Sequence, residues 1–174
     1  MRPEGTVRDL DRTDARLIAE LQNNARLSNK ELAARVGLAP SSCLERVRRL
    51  RSEGALRGFH ADVDPRVLGI AFQAMIAVRL KQHSRDLAAA FRAHVDSLPE
   101  VVALYHIAGE NDYLLQVAVR DVDHLRNFTL DRLTVREEVA HVETALVFEH
   151  VRRWVLPEYR ADAAVPTPPP LRPS

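Results

Sequence analysis

Apolar residues recur at helical spacing through the first third of the chain and at two distinct spacings through the rest. Leu17, Ile18 and Leu21 share one side of a helix that Asp11 or Thr13 can cap and that runs to about Asn23. Ser28-Asn29-Lys30-Glu31 has the form of a capping box, with serine accepting from the amide three residues on and glutamate reaching back. Leu32 and Val36 then face inward. Gly37 supplies the left-handed conformation that stops this second helix, and Pro40, with its fixed φ and missing amide, opens a third. In the third helix Cys43, Val47 and Leu50 form one narrow apolar stripe, which makes Cys43 a core residue rather than a nucleophile. Helix, tight glycine turn and proline-started helix together predict a helix-turn-helix.

The following segment, EGALRGFHADVD, has a glycine turn and short alternating apolar residues at Leu56, Phe59, Ala61 and Val63, which suits a β-hairpin wing. Asp64-Pro65 breaks the pattern and begins a linker. Strands are then expected over 73–80, 101–108, 113–119 and 139–149. Helices are expected from Ser84 to Leu98, with Leu87, Phe91, Val95 and Leu98 inward, and from a cap at Asp121 to about Leu133. The order βαββαβ predicts a ferredoxin-like sheet with helices on one face. The fold class is therefore α+β, an N-terminal winged helix-turn-helix domain followed by a ferredoxin-like αβ-sandwich. The expected boundaries are 8–64 for the first domain, 65–72 for the linker, 73–156 for the second domain and 157–174 for a Pro-rich, unstructured tail.

The strands are apolar at both alternating sets of positions: Met75, Ala77, Val117 and Val119, and also Ile76, Val78, Leu114 and Ala118. Helices cover one face only, so the other needs a second copy, and a homodimer through the sheets is expected. A dimer also supplies the paired recognition helices that a two-fold operator requires.

Charge sharpens this division. The net charge of +1 hides eight basic against three acidic residues over 26–60, and six against twelve over 84–149. The first region attracts double-stranded DNA and the second repels it. On the third helix the side away from the apolar stripe carries Ser41, Ser42, Glu45, Arg48 and Arg49, with Arg46 on its flank. Arginine can grip guanine or phosphate there, and serines near a helix start can bond bases or phosphates. Ser28, Asn29 and Lys30 at the preceding helix start, and Arg57 on the expected wing, complete the candidate DNA-binding set. On this reading, replacing Arg49 or Ser42 weakens operator binding and leaves the assembly intact.

Enzyme signatures are missing: the histidines lack metal-ligand spacing, no glycine-rich phosphate loop follows a strand, and no cofactor is expected. One cysteine, no signal peptide and no long apolar run point to a cytoplasmic, nucleoid-associated protein that does not enter membranes.

The segments LDRTDARLIAELQ, RLSNKELAARVGL, SSCLERVRRL, EGALRGFHADVDPRVLG, LPEVV and GENDYLLQVAV, in that order over residues 10 to about 150, resemble the Lrp/AsnC family of transcriptional regulators. The resemblance implies a C-terminal domain that dimerises, assembles further into higher homo-oligomers such as octamers, and binds an amino acid or related metabolite between subunits. It places that effector near the turn Gly109, Glu110, Asn111, Asp112 and the strand containing Thr144. Glycine permits close backbone approach there, turn amides can hold a carboxylate, and Asp112 can pair with an ammonium. Two departures stand out. Ala39 replaces the family's usual Ser or Thr cap, and Arg136-Glu137-Glu138 replaces a common Leu-Pro-Gly. The alternatives are a metabolite-binding regulatory subunit acting on a protein partner, and an architectural DNA-compacting protein with little sequence preference.

Overall fold

The computed structural model describes residues 10–82, 84–159 and 172–173. They divide into two compact units: residues 63–150 form one, and the chain before Val63 together with the segment from Val151 onward forms the other.

The first unit holds α1 (Arg12–Asn23), α2 (Asn29–Val36) and α3 (Pro40–Ser52). Asp11 caps α1 by accepting from the Asp14 amide at 2.8 Å. The Ser28–Glu31 capping box starts α2, and Gly37 ends it in the left-handed region at φ +73°. Pro40 opens α3 behind Ala39, whose side chain makes no cap hydrogen bond. Leu17, Leu21, Leu32, Ala33, Val36, Cys43 and Leu50 make one buried core. Burial pushes the Cys43 thiol up, away from reactivity.

The expected hairpin wing is not formed. Residues 53–64 contain no strand among their described backbone. Leu56 packs on the helical core and its amide returns to Leu50 O at 3.0 Å, while Phe59 lies 5.9 Å from the Arg51 guanidinium. A two-stranded hairpin is marginal alone, and one short run of apolar residues supplied no second strand for it to pair with.

The chain rejoins this unit after the sheet domain. Val155 to Tyr159 line a groove of about 370 Å³ with Leu10, Ala15, Ile18, Ala19 and Gln22, and the Leu156 amide donates to Gln22 Oε1 at 2.8 Å. Val151–Arg152 pairs antiparallel with Arg172–Pro173. The remainder of the expected Pro-rich tail, and the polar segment before Leu10, lie outside the described residues.

The second unit is a four-stranded antiparallel sheet in the order β2-β3-β1-β4, formed by β1 (Phe72–Leu80), β2 (Val101–His106), β3 (Tyr113–Val119) and β4 (Val139–Val147). With α4 (Arg85–Asp96) and α5 (Val122–Phe128) it has the expected βαββαβ order. Alternation decides the faces. Ala74, Ile76 and Val78 stand opposite Val117, Leu115 and Tyr113, and all are buried beneath Phe91, Val95, Leu125 and Phe128. The other parity, Gln73, Met75 and Ala77 opposite Ala118, Gln116 and Leu114, is only half-buried. This open face carries a groove of about 460 Å³ lined by Met75, Tyr105, Ile107, Leu114 and Gln116, and the Gln116 amide donates to Gln73 Oε1 at 3.0 Å.

The last helix is shorter than its pattern suggests. α5 stops at Phe128 and continues as a wider π-type turn over Thr129–Thr134. Thr129 and Thr134 hydroxyls donate back to Leu125 O and Leu130 O, each at 2.9 Å. Such back-bonding competes with the regular ladder and widens it.

Candidate nucleic-acid interface and effector turn

The structure sorts the ten DNA-binding candidates into two groups. Lys30, Ser41, Ser42, Glu45, Arg48 and Arg57 are exposed, and among the described residues their side chains make no hydrogen bond or ion pair. Ser41, Glu45 and Arg48 follow one another at i, i+4 and i+7, so they form a single ridge along α3 opposite buried Cys43 and Leu50. A short hydroxyl, a carboxylate and a guanidinium on one ridge can read donors and acceptors along the floor of a major groove.

The other four are occupied. Ser28 Oγ accepts from the Glu31 amide at 3.3 Å and donates to Glu31 Oε2 at 2.7 Å, while Glu31 Oε2 also accepts from the Ser28 amide at 2.8 Å. These bonds from the Ser28 hydroxyl and amide hold the Glu31 carboxyl below its usual range. Asn29 Nδ2 donates to Pro40 O at 2.7 Å, tying the start of α2 to the start of α3.

Arg46 and Arg49 do not share the exposed ridge on which the sequence pattern placed Arg49. Both turn toward α1. Arg46 Nη1 donates to Asp11 Oδ2 at 2.6 Å and to Asp14 Oδ1 at 2.8 Å, and Arg49 Nη2 donates to Asp14 Oδ2 at 2.9 Å and Asp14 Oδ1 at 3.1 Å. Asp14 is 1% exposed. A carboxylate so buried must be paired or pay a large desolvation cost, and these two arginines pair it. The hydrogen bond from Arg46, and then the one from the Asp14 amide, lower the Asp11 carboxyl below its ordinary value. Asp14 was missed in the sequence, yet a signal was present. It occupies the inward stripe of α1 with Leu17 and Leu21, where a carboxylate demands a cation, and the arginine-rich third helix supplies one.

At the other candidate site, Gly109 to Asp112 join β2 to β3. Gly109 has φ +142°, a conformation that L side chains rarely adopt. Ile107 N–H donates to Asp112 O and Asp112 N–H donates to Val78 O, both at 2.9 Å. Asp112 is buried, and its Oδ2 accepts the Leu80 amide at 2.7 Å. Its carboxylate therefore cannot swing toward a ligand without releasing the end of β1. Glu110 is 83% exposed and lies 3.8 Å from Arg79, too open and distant to add much stability.

Arg136 to Glu138 converge on the same end of β1. The Lys81 amide donates to Glu138 O at 2.9 Å, and Arg136 Nη2 and Nε donate to Glu138 Oε1 at 2.7 and 2.9 Å. Burial pushes the Glu138 carboxyl up, but its own backbone amide and Arg136 pull harder, leaving it below its ordinary value. Thr144 is apart from this cluster, exposed in the middle of edge strand β4 opposite Ile76.

Among the described residues no group of three His, Cys, Asp or Glu side chains is placed to hold a metal ion, and no helix is long and apolar enough to cross a membrane.

Comparison with known proteins matches both regions. Residues 10–51 match the model of the AsnC-type helix-turn-helix domain, and residues 73–154 match that of the Lrp/AsnC ligand binding domain. The HTH-type transcriptional regulator AldR of Mycolicibacterium smegmatis is 44% identical over 146 residues, spanning 84% of this chain and 85% of its own. The leucine-responsive regulatory protein of Salmonella typhimurium is 36% identical over 146 residues, or 84% and 89% of the two chains. Among solved structures, a Neisseria meningitidis transcriptional regulator in complex with L-Met superposes with a TM-score of 0.74 at 32% identity, covering 92% of this chain and 97% of that one.

Proposed function

Since the chain belongs to the Lrp/AsnC family of transcriptional regulators, we propose that it reads a specific operator with α3 and adjusts its occupancy to an amino acid or related metabolite held by the sheet unit. The observation that carries the DNA half is the exposed Ser41–Glu45–Arg48 ridge, on a helix whose opposite side buries Cys43 and Leu50 completely. Lys30 and Ser42 flank that ridge as phosphate or base contacts, and Arg57 follows α3 in the chain as a further phosphate contact.

The effector half draws support from the β2–β3 turn beside the end of β1. Gly109 leaves its backbone open to close approach, and the amides of Glu110 and Asn111 are suited to a carboxylate. Asp112 serves this turn as its frame. Arg79, Glu110 and Arg136 supply charge around it. The L-Met complex of the Neisseria regulator makes an amino acid the ligand class to test first. The half-buried face around Met75, Leu114 and Tyr105 suits a second copy of the chain, which gives a homodimer and a route to larger rings. A ligand between subunits then changes DNA occupancy only by as much as it prefers one assembly over another.

Fluorescence anisotropy on the DNA upstream of the protein's own gene, against a scrambled duplex, with and without a mixture of the twenty amino acids, tests both halves. Selective binding that shifts with the mixture is expected. Equal binding to both duplexes would replace this reading with an architectural role, and a tight protein partner with no DNA binding would replace it with the regulatory-subunit role.

A further inference from the structure

Four arginines lie on α3, and they are not equivalent. With Ser41 taken as the reference direction, the 100° helical step puts Ser41, Glu45 and Arg48 on one ridge. Arg49 and Arg46 fall on the flank toward α1, and Arg51 falls on the opposite flank. The flank toward α1 meets Asp11, the N-cap of α1, and Asp14 on its inward stripe, also three residues apart. Matched i, i+3 pairs on two crossing helices thus meet acid to base, through four hydrogen bonds between 2.6 and 3.1 Å. The arginine side chains are only 28% and 35% exposed, and Arg49 Nε is buried without a partner among the described residues. Arg46 Nη1 and Arg49 Nη2 are committed to these carboxylates, so both guanidiniums are drawn toward α1 and away from the exposed ridge.

We propose that Asp14 is a positioning and specificity-determining residue for DNA recognition: its buried carboxylate fixes the roll of α3 against α1 and withholds two of the four α3 arginines from DNA. The inference rests on the DNA-binding reading above. Its physical basis is the difference between phosphate and base contacts. Mobile arginines bind any phosphate and raise affinity for all sequences alike, whereas base readout needs a ridge held in one orientation. Asp14 removes the first kind of charge and enforces the second kind of geometry. Selectivity is then carried by Ser41, Ser42, Glu45 and Arg48.

The test uses the full chain and two duplexes, one selected by this protein from a random pool and one scrambled, titrated by anisotropy at several salt concentrations. Asp14→Asn is expected to lower the ratio of selected to scrambled affinity by about tenfold or more. The same variant is expected to bind the scrambled duplex more tightly and to steepen the slope of log affinity against log salt by about one for each arginine released. A residue that merely holds the fold would lower the folded fraction and leave the ratio and the slope of the folded protein unchanged, and that result overturns the proposal. Arg49→Met and Arg48→Met decide the matter without touching Asp14. Arg49→Met is expected to leave the salt slope as it is, and Arg48→Met to lose about tenfold or more in affinity for the selected duplex. If Arg49→Met flattens the slope, Arg49 contacts phosphate and the clamp is wrong. If the unaltered protein selects no duplex from the pool, the DNA-binding reading itself falls, and the proposal with it.

Discussion

Ala39 offers a substitution that should strengthen the protein. It precedes α3 with φ −65° and ψ 144°, close to the φ −65° and ψ 156° of Ser28, which caps α2 with its hydroxyl. The backbone is therefore already arranged for a cap, and only the acceptor is lacking. Ala39 is exposed, so a serine hydroxyl meets no packing cost. Ala39→Ser should bond the Ser42 amide and add about 1 kcal/mol, within the range of roughly 0.5–2 kcal/mol measured for such caps. For a small domain that corresponds to about 4–8 °C in Tm, read by thermal denaturation followed by circular dichroism at 222 nm. Ala39→Asp should add a comparable amount plus a few tenths to about 1 kcal/mol from the helix dipole, yet weaken DNA binding by placing a negative charge beside the phosphates. Stability and affinity would then move apart in the aspartate variant and not in the serine variant. An unchanged or lowered Tm in Ala39→Ser would refute the argument that the α3 start lacks only an acceptor.

Gly37→Ala should destabilise the first unit by about 1–2 kcal/mol, because φ +73° is costly for an L residue although its Cβ would meet no atom within 4 Å; urea denaturation would measure it, and Gly37→Asn should cost less. Phe91→Ala removes the largest fully buried side chain of the sheet core and should cost about 3–5 kcal/mol, seen as a lowered urea midpoint. Asp112→Ala should cost about 1–3 kcal/mol even with no amino acid present, since it strands the Leu80 amide; a Tm unchanged without ligand would argue for a purely ligand-facing carboxylate. Asp11 has its folded pKa lowered by Arg46, so its contribution is present above the unfolded value of about 3.9 and is lost as pH falls through and below it. Stability measured from pH 6 to pH 2 should therefore fall less steeply in Asp11→Asn than in the unaltered protein.

What was legible in the sequence was local. The Ser28 capping box, the Gly37 stop and the Pro40 start each depend on residues within a turn of one another, and each formed as expected. The βαββαβ order followed from periodicity, which encodes burial one element at a time. What was not legible depended on distant partners. The α3 arginines looked alike until α1 brought Asp14 to two of them, 32 and 35 residues away in sequence. The wing was misread because alternation signals a strand only where a second strand is available. The sequence suggests Asp112 only as a partner for an ammonium, because its acceptance of the Leu80 amide depends on a residue 32 positions away. Thr144 was grouped with the turn through family resemblance, while strand register places it opposite Ile76.

The return of residues 155–159 to α1 has a consequence for how the protein is made. The helical unit is built from two stretches of chain separated by the entire sheet domain. On the ribosome its three helices emerge before the sheet domain, but the side of α1 carrying Ile18 and Gln22 waits uncovered until residues 155–159, beyond that domain, have been synthesised. A fragment ending at residue 62 would never acquire that cover, so the helical unit is completed only after the sheet domain that follows it in the chain.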